Sequence, residues 1–448
     1  MDVMVVGAGP AGLATACALR MHGVAVRVVD AAPGPATTSR ALGLQPRGSE
    51  VLERLGALGD LPERSVDIRR VVVHVGGRRS GELRVGQPTA LVRRPGLLVS
   101  QAEVDAGLRP RVAALGGAVE WGTAVTGLDQ DVRGVVLSTV DGPVRADWVV
   151  GCDGAHSAVR KAAGIGFPGL PLVEGFVLGD VRAELPLPSD AVGVWVDGGA
   201  MFAAFPLPGG VWRFMAPAPG TPVEAVPDSL TRAARQHAGV RVGPADEWVW
   251  TSVFRIHRRL AETYRRGRVL LAGDAAHIHS PFGGQGMNTG LGDAENVAWR
   301  LALVVAGRAG DRLLDGYQAE RRPVAEEVLG ATSGLTGLVL GESPAARLLR
   351  DRVLFPLMGL PPVEKLIWER ASQVRTTYAR TLGRRPRVGD RVAEHASDNG
   401  FRWTLAAPPG DGCVDVARAA LGDLRHVRRE GDALLVRPDG HLAWRGQP

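Results

Sequence analysis

The segment that most limits how this chain can fold is its start. Asp2-Val3-Met4-Val5-Val6 is a short, nearly continuous apolar run that reads as a buried parallel strand. Gly7-Ala8-Gly9-Pro10-Ala11-Gly12 follows, and Leu13 to Met21 reads as a helix. Gly7 permits the tight turn, Gly9 lets the backbone approach a pyrophosphate without a Cβ in the way, and Gly12 lets helix and strand pack closely. Phosphates then meet free N–H groups at the positive end of the helix. Ala25-Val26-Arg27-Val28-Val29 reads as a second strand ending at Asp30, where a carboxylate accepts from ribose hydroxyls. Strand, glycines, helix, strand and acid stand in the order of a Rossmann-type dinucleotide site. The motif alone does not separate FAD from NAD.

The 448 residues suffice for two or three domains with a large core. With 45% hydrophobic and 22% charged residues, the chain reads as a soluble globular enzyme. No charge-free apolar stretch of about eighteen residues predicts a membrane span. Met1 leads straight into the first strand, so no secretory signal is expected. Cys17, Cys152 and Cys413 are far apart and form no CxxC, which fits a reducing cytoplasm and predicts neither a disulfide framework nor a zinc site. The net charge is +6, and all but Lys161 and Lys365 of the 53 basic residues are arginine. No basic run is interleaved with aromatics, so no nucleic-acid partner is expected, although the positive field suits anionic cofactors.

Two further segments repeat the logic of a strand delivering a turn to a sheet edge. Trp148-Val149-Val150-Gly151 leads into Cys152-Asp153-Gly154-Ala155-His156-Ser157-Ala158-Val159-Arg160-Lys161. Arg268-Val269-Leu270-Leu271 leads into Ala272-Gly273-Asp274-Ala275-Ala276-His277, at the carboxyl edge where open α/β sheets bind ligands. Pro281-Phe282-Gly283-Gly284-Gln285-Gly286-Met287-Asn288 is a glycine-dense loop able to lie flat against a planar ring. Gly290 to Leu303 reads as a helix whose N-terminus faces that ring and favours negative charge on it. Asp153 is also placed to cap the helix after it. His277 and His279 have no Glu or Cys companion at ligand spacing, so no metal is expected. Ser157 is not in a GxSxG elbow, which disfavours a hydrolase.

The motifs GAGPAG at 7–12, CDGAHSAVRK at 152–161 and AGDAAHIHSPFGGQGMN at 272–288, with SRALGLQPR at 39–47, resemble the class A flavoprotein monooxygenases. The likeness is greatest to the branch that hydroxylates aromatic polyketides and phenols, and it spans most of residues 1–385. It implies FAD as cofactor and NAD(P)H as a transient reductant. By resemblance, Gly7, Ala8, Gly9, Pro10, Ala11 and Gly12 hold the pyrophosphate and Asp30, with Ala31 beside it, the adenosine ribose. Arg40 contacts the phosphate region, Gln101 lies near the ribityl chain, and Val125, on a strand expected at Trp121–Thr126, touches adenine through its backbone. Asp153 and Arg160 serve FAD and NAD(P)H, Asp274 binds the ribityl hydroxyls, and Gly284, Gly286, Met287 and Asn288 border the isoalloxazine. The carbonyl of Pro281, the one catalytic candidate, lies near the reactive flavin carbon.

The fold class expected is α/β, α+β overall. It comprises a Rossmann-type FAD domain (1–70, 100–167 and 266–320), an inserted antiparallel-sheet substrate domain (71–99 and 168–265), a helical region (321–387) and a shortened thioredoxin-like C-terminal segment (388–448) without a CxxC. Val192–Val196, Met201–Phe205 and Val211–Met215 read as a meander of strands, joined by Val71–Val75 and Ala90–Val92. Trp195, Phe205, Trp212 and Phe214 are candidates for an apolar substrate wall or for plain sheet core, since sequence does not fix strand phase. Pro323–Leu340 and Ser343–Met358 read as helices.

The resemblance implies that NAD(P)H reduces FAD, that reduced flavin and O₂ give a C4a-hydroperoxide, and that one oxygen atom reaches a small aromatic, polyketide-type or phenolic substrate. The cofactor carries the hard chemistry, so no catalytic dyad is demanded and no phenol-deprotonating base is identified. No second strand–GxGxxG–helix unit is found for a resident nicotinamide cofactor. Baeyer–Villiger or epoxidation chemistry, inactivation of an aromatic antibiotic, dehydrogenation without oxygen insertion, and a non-catalytic flavin-binding role remain open readings. A monomer or homodimer without membrane attachment is expected.

Overall fold

A computed structural model of the chain describes residues 2–39, 41–197, 200–242, 247–279, 283–340, 343–380, 386–395, 399–408 and 412–446. Its organising element is a six-stranded sheet whose order is Arg265–Arg266, Val269–Leu271, Trp148–Gly151, Asp2–Val6, Ala25–Asp30 and Val119–Trp121. All neighbours are parallel except the edge strand Arg265–Arg266. The first strand is central because Val3 to Val6 are buried on both faces, as a strand covered by helices must be. The chain moves from it to Ala25–Asp30 on one side and later to Trp148–Gly151 on the other. This reversal is the switch point at which open α/β sheets bind ligands.

Helix Pro10–Met21 packs on this sheet and against helices Gln101–Ala114 and Gly286–Val305. Two glycines make the approach possible. Gly7 has φ +105°, and a Cβ on Gly12 would lie 1.9 Å from the Gly7 carbonyl oxygen. The flavin-side helix starts at Gly286, one turn earlier than Gly290, so Met287 and Asn288 belong to its first turn rather than to a loop. The strand expected at Trp121–Thr126 is two strands. Trp121 ends one in register with Asp30, Gly122 turns with φ +74°, and Val125 begins Val125–Asp131 in a separate antiparallel meander.

The second layer is an eight-stranded sheet in the order His277–Ile278, Trp248–Leu260, Gly169–Arg182, Val211–Pro217, Ala200–Leu207, Ala191–Asp197, Arg70–Val75 and Arg78–Arg84. Its pairings are antiparallel except that of Ala191–Asp197 with Arg70–Val75. Residues 90–92 are not a strand. The Thr89 hydroxyl accepts from the N–H groups of Leu91 and Val92, and this local turn competes with pairing.

Strand phase divides the aromatics. Phe205, Met201, Ala203 and Met215 lie on the face that meets Phe355. Trp195, Trp212 and Phe214 lie on the other face with Phe202, packed with Val226 and Leu230 of helix Val226–Ala233. These three are core of the outer face and not the apolar substrate wall the sequence offered as one alternative.

Helix Asp315–Leu340 begins before Pro323, which sits inside it. Proline removes the N–H that would reach the Ala319 carbonyl, and Arg380 Nη2 donates to that oxygen instead at 2.9 Å. Ser343 caps helix Pro344–Leu349, and one π turn, Arg350–Leu354, carries the chain into Phe355–Leu357. Helix Pro361–Ala371 follows. The C-terminal segment is a four-stranded sheet in the order Leu424–Arg428, Trp403–Ala407, Ala433–Val436, Leu442–Gly446, with helix Cys413–Leu421 connecting its parallel pair. Among the described residues no helix is long and apolar enough to cross a membrane.

The face assignment has a direct test. Phe214→Ala is expected to cost about 3–5 kcal/mol of stability by leaving a cavity on the outer face. Flavin affinity stays unchanged, because the side chain points away from the switch point. Denaturant midpoints and flavin titrations of the variant check both halves.

Candidate functional site

The two sheets and the helices after Ser343 enclose one continuous cavity of about 1600 Å³. Single-ligand sites commonly occupy roughly 300–1,000 Å³, so this space admits a dinucleotide and a second molecule together. One side is walled by Gly9, Pro10, Ala11, Gln101, Arg160, Asp274, Gly284, Gly286 and Met287. The sequence motifs, scattered over nearly 280 positions, thus converge on one space. The other side carries Val71, Val73, Val194, Met201, Phe205 and Met215 from the sheet, faced by Phe355, Met358, Ile367 and Trp368.

Two helix N-termini open on the cavity. Gly9 caps helix Pro10–Met21 and Gln285 caps helix Gly286–Val305, neither with a side-chain hydrogen bond to the first turn. Their N–H groups are left for a ligand, and both dipoles point positive ends into the same space. A Cβ built on Gly9 meets no atom within 4 Å, so this glycine borders open room and is not needed for packing. Gly283 and Gly284, with φ +86° and +60°, turn the backbone into the second helix. A pyrophosphate at the first helix and the electron-rich edge of an isoalloxazine at the second fit these donors.

Side chains on the wall and behind it fix its shape. Asp30 accepts from Ala8 N at 2.6 Å and Ala32 N at 2.8 Å, holding the end of its strand against the glycine turn. Asp153 accepts from Val159 N at 3.1 Å and from the Ser157 hydroxyl at 2.5 Å, and Ser157 caps Arg160 N, so Asp153 performs the helix-start role noted from sequence. Arg160 donates to Ala275 O at 2.9 Å and Ala155 O at 3.0 Å and lies 3.8 Å over the Phe167 ring, joining two of the motif turns. Burial holds its guanidinium below the usual range. Asn288 is buried; its Oδ1 accepts from Gln45 N at 2.8 Å, and its Nδ2 donates to Gly284 O at 2.7 Å. It thus shapes the loop from behind. Ala31 and Val125 do not line the cavity. Arg40 and Pro281 lie outside the described residues.

Asp274 stands on the wall with its side chain open to the cavity, and the protein packed around it desolvates the carboxyl and pushes it above the usual range, with His277 opposing the effect and Asp293 adding to it. Its loop is held by Asp293, whose carboxylate accepts from Gly273 N at 3.1 Å and from Arg321 Nε at 2.7 Å and contacts His277 Nε2 at 2.6 Å. Burial works against the Asp293 charge, but His277 and Arg321 outweigh it and hold the carboxyl below the usual range.

Several contributors had no role read for them from the sequence. Gln45 Nε2 donates to Gly283 O at 3.0 Å. Arg213 lines the cavity on an otherwise apolar sheet face, gripped by Asp180 through Nε at 2.7 Å and Nη2 at 2.8 Å. Leu354, Phe355, Val363, Ile367 and Trp368 come from a region read only as helical. Their helical spacing was visible in the sequence; which face meets the sheet was not.

Asp274→Ala is expected to weaken flavin binding by at least about tenfold with the fold intact, measured by fluorescence titration and circular dichroism. Asp105, on helix Gln101–Ala114, is buried, and burial pushes its carboxyl up to about 7 from 3.8. The folded chain therefore holds a proton that the unfolded chain releases. That costs stability as pH rises from about 4 to 7, with no further loss above. Asp105→Asn removes the cost. The variant is expected to match the parent near pH 4 and to exceed it by about 1–3 kcal/mol at pH 8, measured on cofactor-free protein by urea unfolding.

Comparison with known proteins gives the site its family. Residues 1–332 match the family described as an FAD binding domain. Rifampicin monooxygenase of Streptomyces venezuelae is 38% identical, with 100% of this chain and 96% of that protein covered. The 12-dehydrotetracycline 5-monooxygenase/anhydrotetracycline 6-monooxygenase of Streptomyces rimosus subsp. rimosus is 34% identical, covering 100% of this chain and 95% of the relative. Among solved structures, the OxyS anhydrotetracycline hydroxylase from Streptomyces rimosus superposes with TM-score 0.82 at 33% identity, over 100% of this chain and 96% of that one. CabE, an aromatic hydroxylase from angucycline biosynthesis, gives TM-score 0.81 at 32% identity, over 99% and 95%. The chain belongs to the FAD-binding family of class A flavoprotein monooxygenases.

Proposed function

We propose that this monooxygenase hydroxylates a large aromatic substrate of polyketide or phenolic type at the expense of NAD(P)H and O₂. The observation that carries the reading is the single cavity, walled by dinucleotide motifs on one side and by apolar sheet and helix residues on the other. The names of the relatives, for rifampicin, tetracycline-type and angucycline-pathway compounds, support a large multi-ring or macrocyclic substrate. The net reaction replaces a substrate C–H by C–OH and converts O₂, NAD(P)H and a proton to water and NAD(P)⁺.

FAD, when bound, accepts hydride from NAD(P)H and activates O₂. The chain's own residues bind, orient and exclude water. We assign the pyrophosphate to Gly7–Gly12 and the N-terminus of helix Pro10–Met21, the ribose to Asp30, the ribityl chain to Gln101 and Asp274, and the isoalloxazine edge to Gly284–Met287. The N-terminus of helix Gly286–Val305 would favour negative charge on a flavin ring held there. Met201, Phe205, Met215, Ile367 and Trp368 give the substrate an apolar bed that keeps water from the reacting atoms. Arg213, fixed by Asp180, offers a polar oxygen of the substrate one oriented cation. His156, Arg160, Lys161 and Arg259 line the cavity on the Gly154 side and suit the anionic phosphates of NAD(P)H.

Anhydrotetracycline and rifampicin are suitable probes. With FAD and NADPH or NADH, at least one is expected to stimulate reductant oxidation and to gain a single ¹⁸O from ¹⁸O₂ by mass spectrometry. Turnover of a probe with no ¹⁸O in product rejects oxygen insertion. Indifference to every multi-ring phenol tested rejects the substrate class.

A further inference from the structure

Among the described residues other than glycine, only Gln373 and Phe401 have a positive φ, and Gln373, at +59°, lies beside the flavin-side loop. The left-handed region is disfavoured for a residue with a Cβ and persists where surrounding contacts over-determine it. Those contacts are present. Gln373 is nearly buried, and its Nε2 reaches Thr289 Oγ1 at 3.1 Å, Gln285 O at 3.4 Å and, more closely, Gln285 Oε1. Gln285 returns the link: its Nε2 donates to Ala371 O at 2.9 Å and Gly283 O at 3.2 Å. Thr289 Oγ1 donates to Gln285 O at 2.9 Å.

The two ends of this amide clamp belong to different parts of the cavity. Gln285 and Thr289 hold the start of helix Gly286–Val305, whose N–H groups face the proposed isoalloxazine position. Gln373 and Ala371 end helix Pro361–Ala371, which gives Val363, Ile367 and Trp368 to the apolar bed. Arg47 N, in the first turn of helix Pro46–Leu55, anchors the same turn by donating to Ser372 O at 3.2 Å. A displacement of the substrate-side helix therefore reaches the flavin-side loop through two hydrogen-bonded amides.

We propose that Gln373 is a positioning residue that sets the flavin-side loop against the substrate-side helix, and so governs how far NAD(P)H oxidation is coupled to substrate oxygenation. The proposal rests on the reading of this cavity as a shared flavin and substrate site. Its action is through Gln285 and the loop, not by contact with reacting atoms. When the loop is misplaced, the same reductant and oxygen are consumed without product: O₂, NAD(P)H and a proton give hydrogen peroxide and NAD(P)⁺.

Gln373→Gly is the informative change, because it deletes the amide while permitting the positive φ. If the residue served stability alone, this variant would change unfolding but leave the flavin dichroism and the peroxide yield as in the parent. The expectation is different. FAD affinity stays within about threefold, the visible circular dichroism of the bound flavin changes, and peroxide formed per NAD(P)H rises at least about fivefold. Gln285→Ala and the double variant are expected to give the same peroxide yield as Gln373→Gly, since all three cut one linkage. An unchanged flavin circular dichroism and peroxide yield in Gln373→Gly overturns the proposal, as does an additive double variant. The dichroism of the bound flavin, recorded without substrate, reads the clamp even where rifampicin and anhydrotetracycline fail to stimulate turnover, so a wrong substrate class is distinguished from a wrong clamp.

Discussion

The structure depends on two carboxylates buried in one helix. Asp293 and Glu295 sit in helix Gly286–Val305 with no solvent access, and they grip opposite parts of the molecule. Asp293 holds the Gly273–Ala275 turn and Arg321, and Arg321 in turn donates to Tyr378 at 3.0 Å. Glu295 takes Arg54 at 2.6 Å and Arg47 at 3.2 Å from helix Pro46–Leu55. Arg47 also donates to the Asp439 carbonyl at 2.8 Å, and the Asp439 carboxylate is forked by Arg437. The C-terminal sheet is thereby tied to the same helix that faces the flavin. Removing one member of such a buried pair leaves an uncompensated charge, at a cost of about 3–5 kcal/mol.

Hung on that helix, the two sheets meet with different chemistry on either side of one space. The parallel sheet contributes backbone: turns, N–H groups and glycines with no side chain in the way. The antiparallel sheet and the helices after Ser343 contribute side chains that are almost wholly apolar. On the proposed reading, a cofactor rich in acceptors and an aromatic substrate would be recognised by different means in adjoining volumes. The ion pair on the cavity face of the sheet, Asp180 with Arg213, is already matched in charge, so it would orient a substrate without leaving a bare cation in an apolar wall.

How legible this was in the sequence varies with the range of the interaction. Gly7 and Gly12 could be read because close backbone approach demands glycine at fixed spacing and the partners are local, whereas Asp30, read for a ribose, shows contacts to the N–H groups of Ala8 and Ala32. The reach of a helix was less legible. Helix Gly286–Val305 takes in Met287 and Asn288, and helix Asp315–Leu340 runs through Pro323 because a distant Arg380 replaces the missing donor. Strand phase was not legible. Trp195, Trp212 and Phe214 differ from Phe205 only in which side of the sheet their position falls, and that is set by pairing with strands far along the chain. Arg213 and Gln373 carry no motif, and Gln45 lies within one without a role read for it, since an amide or guanidinium acts wherever tertiary packing brings it. The cavity helices were visible as helices, but their apolar faces had no stated target.

Two helix starts without caps also bear on how the folded chain persists. Each leaves donors free for a ligand in the cavity, and no unfolded chain presents them together. FAD therefore binds the native state alone and draws the folding equilibrium toward it. The effect is about 2.7 kcal/mol when free flavin stands at about a hundred times its Kd. The abundance of this enzyme in a cell is then tied to flavin supply, independently of whether any substrate is being turned over.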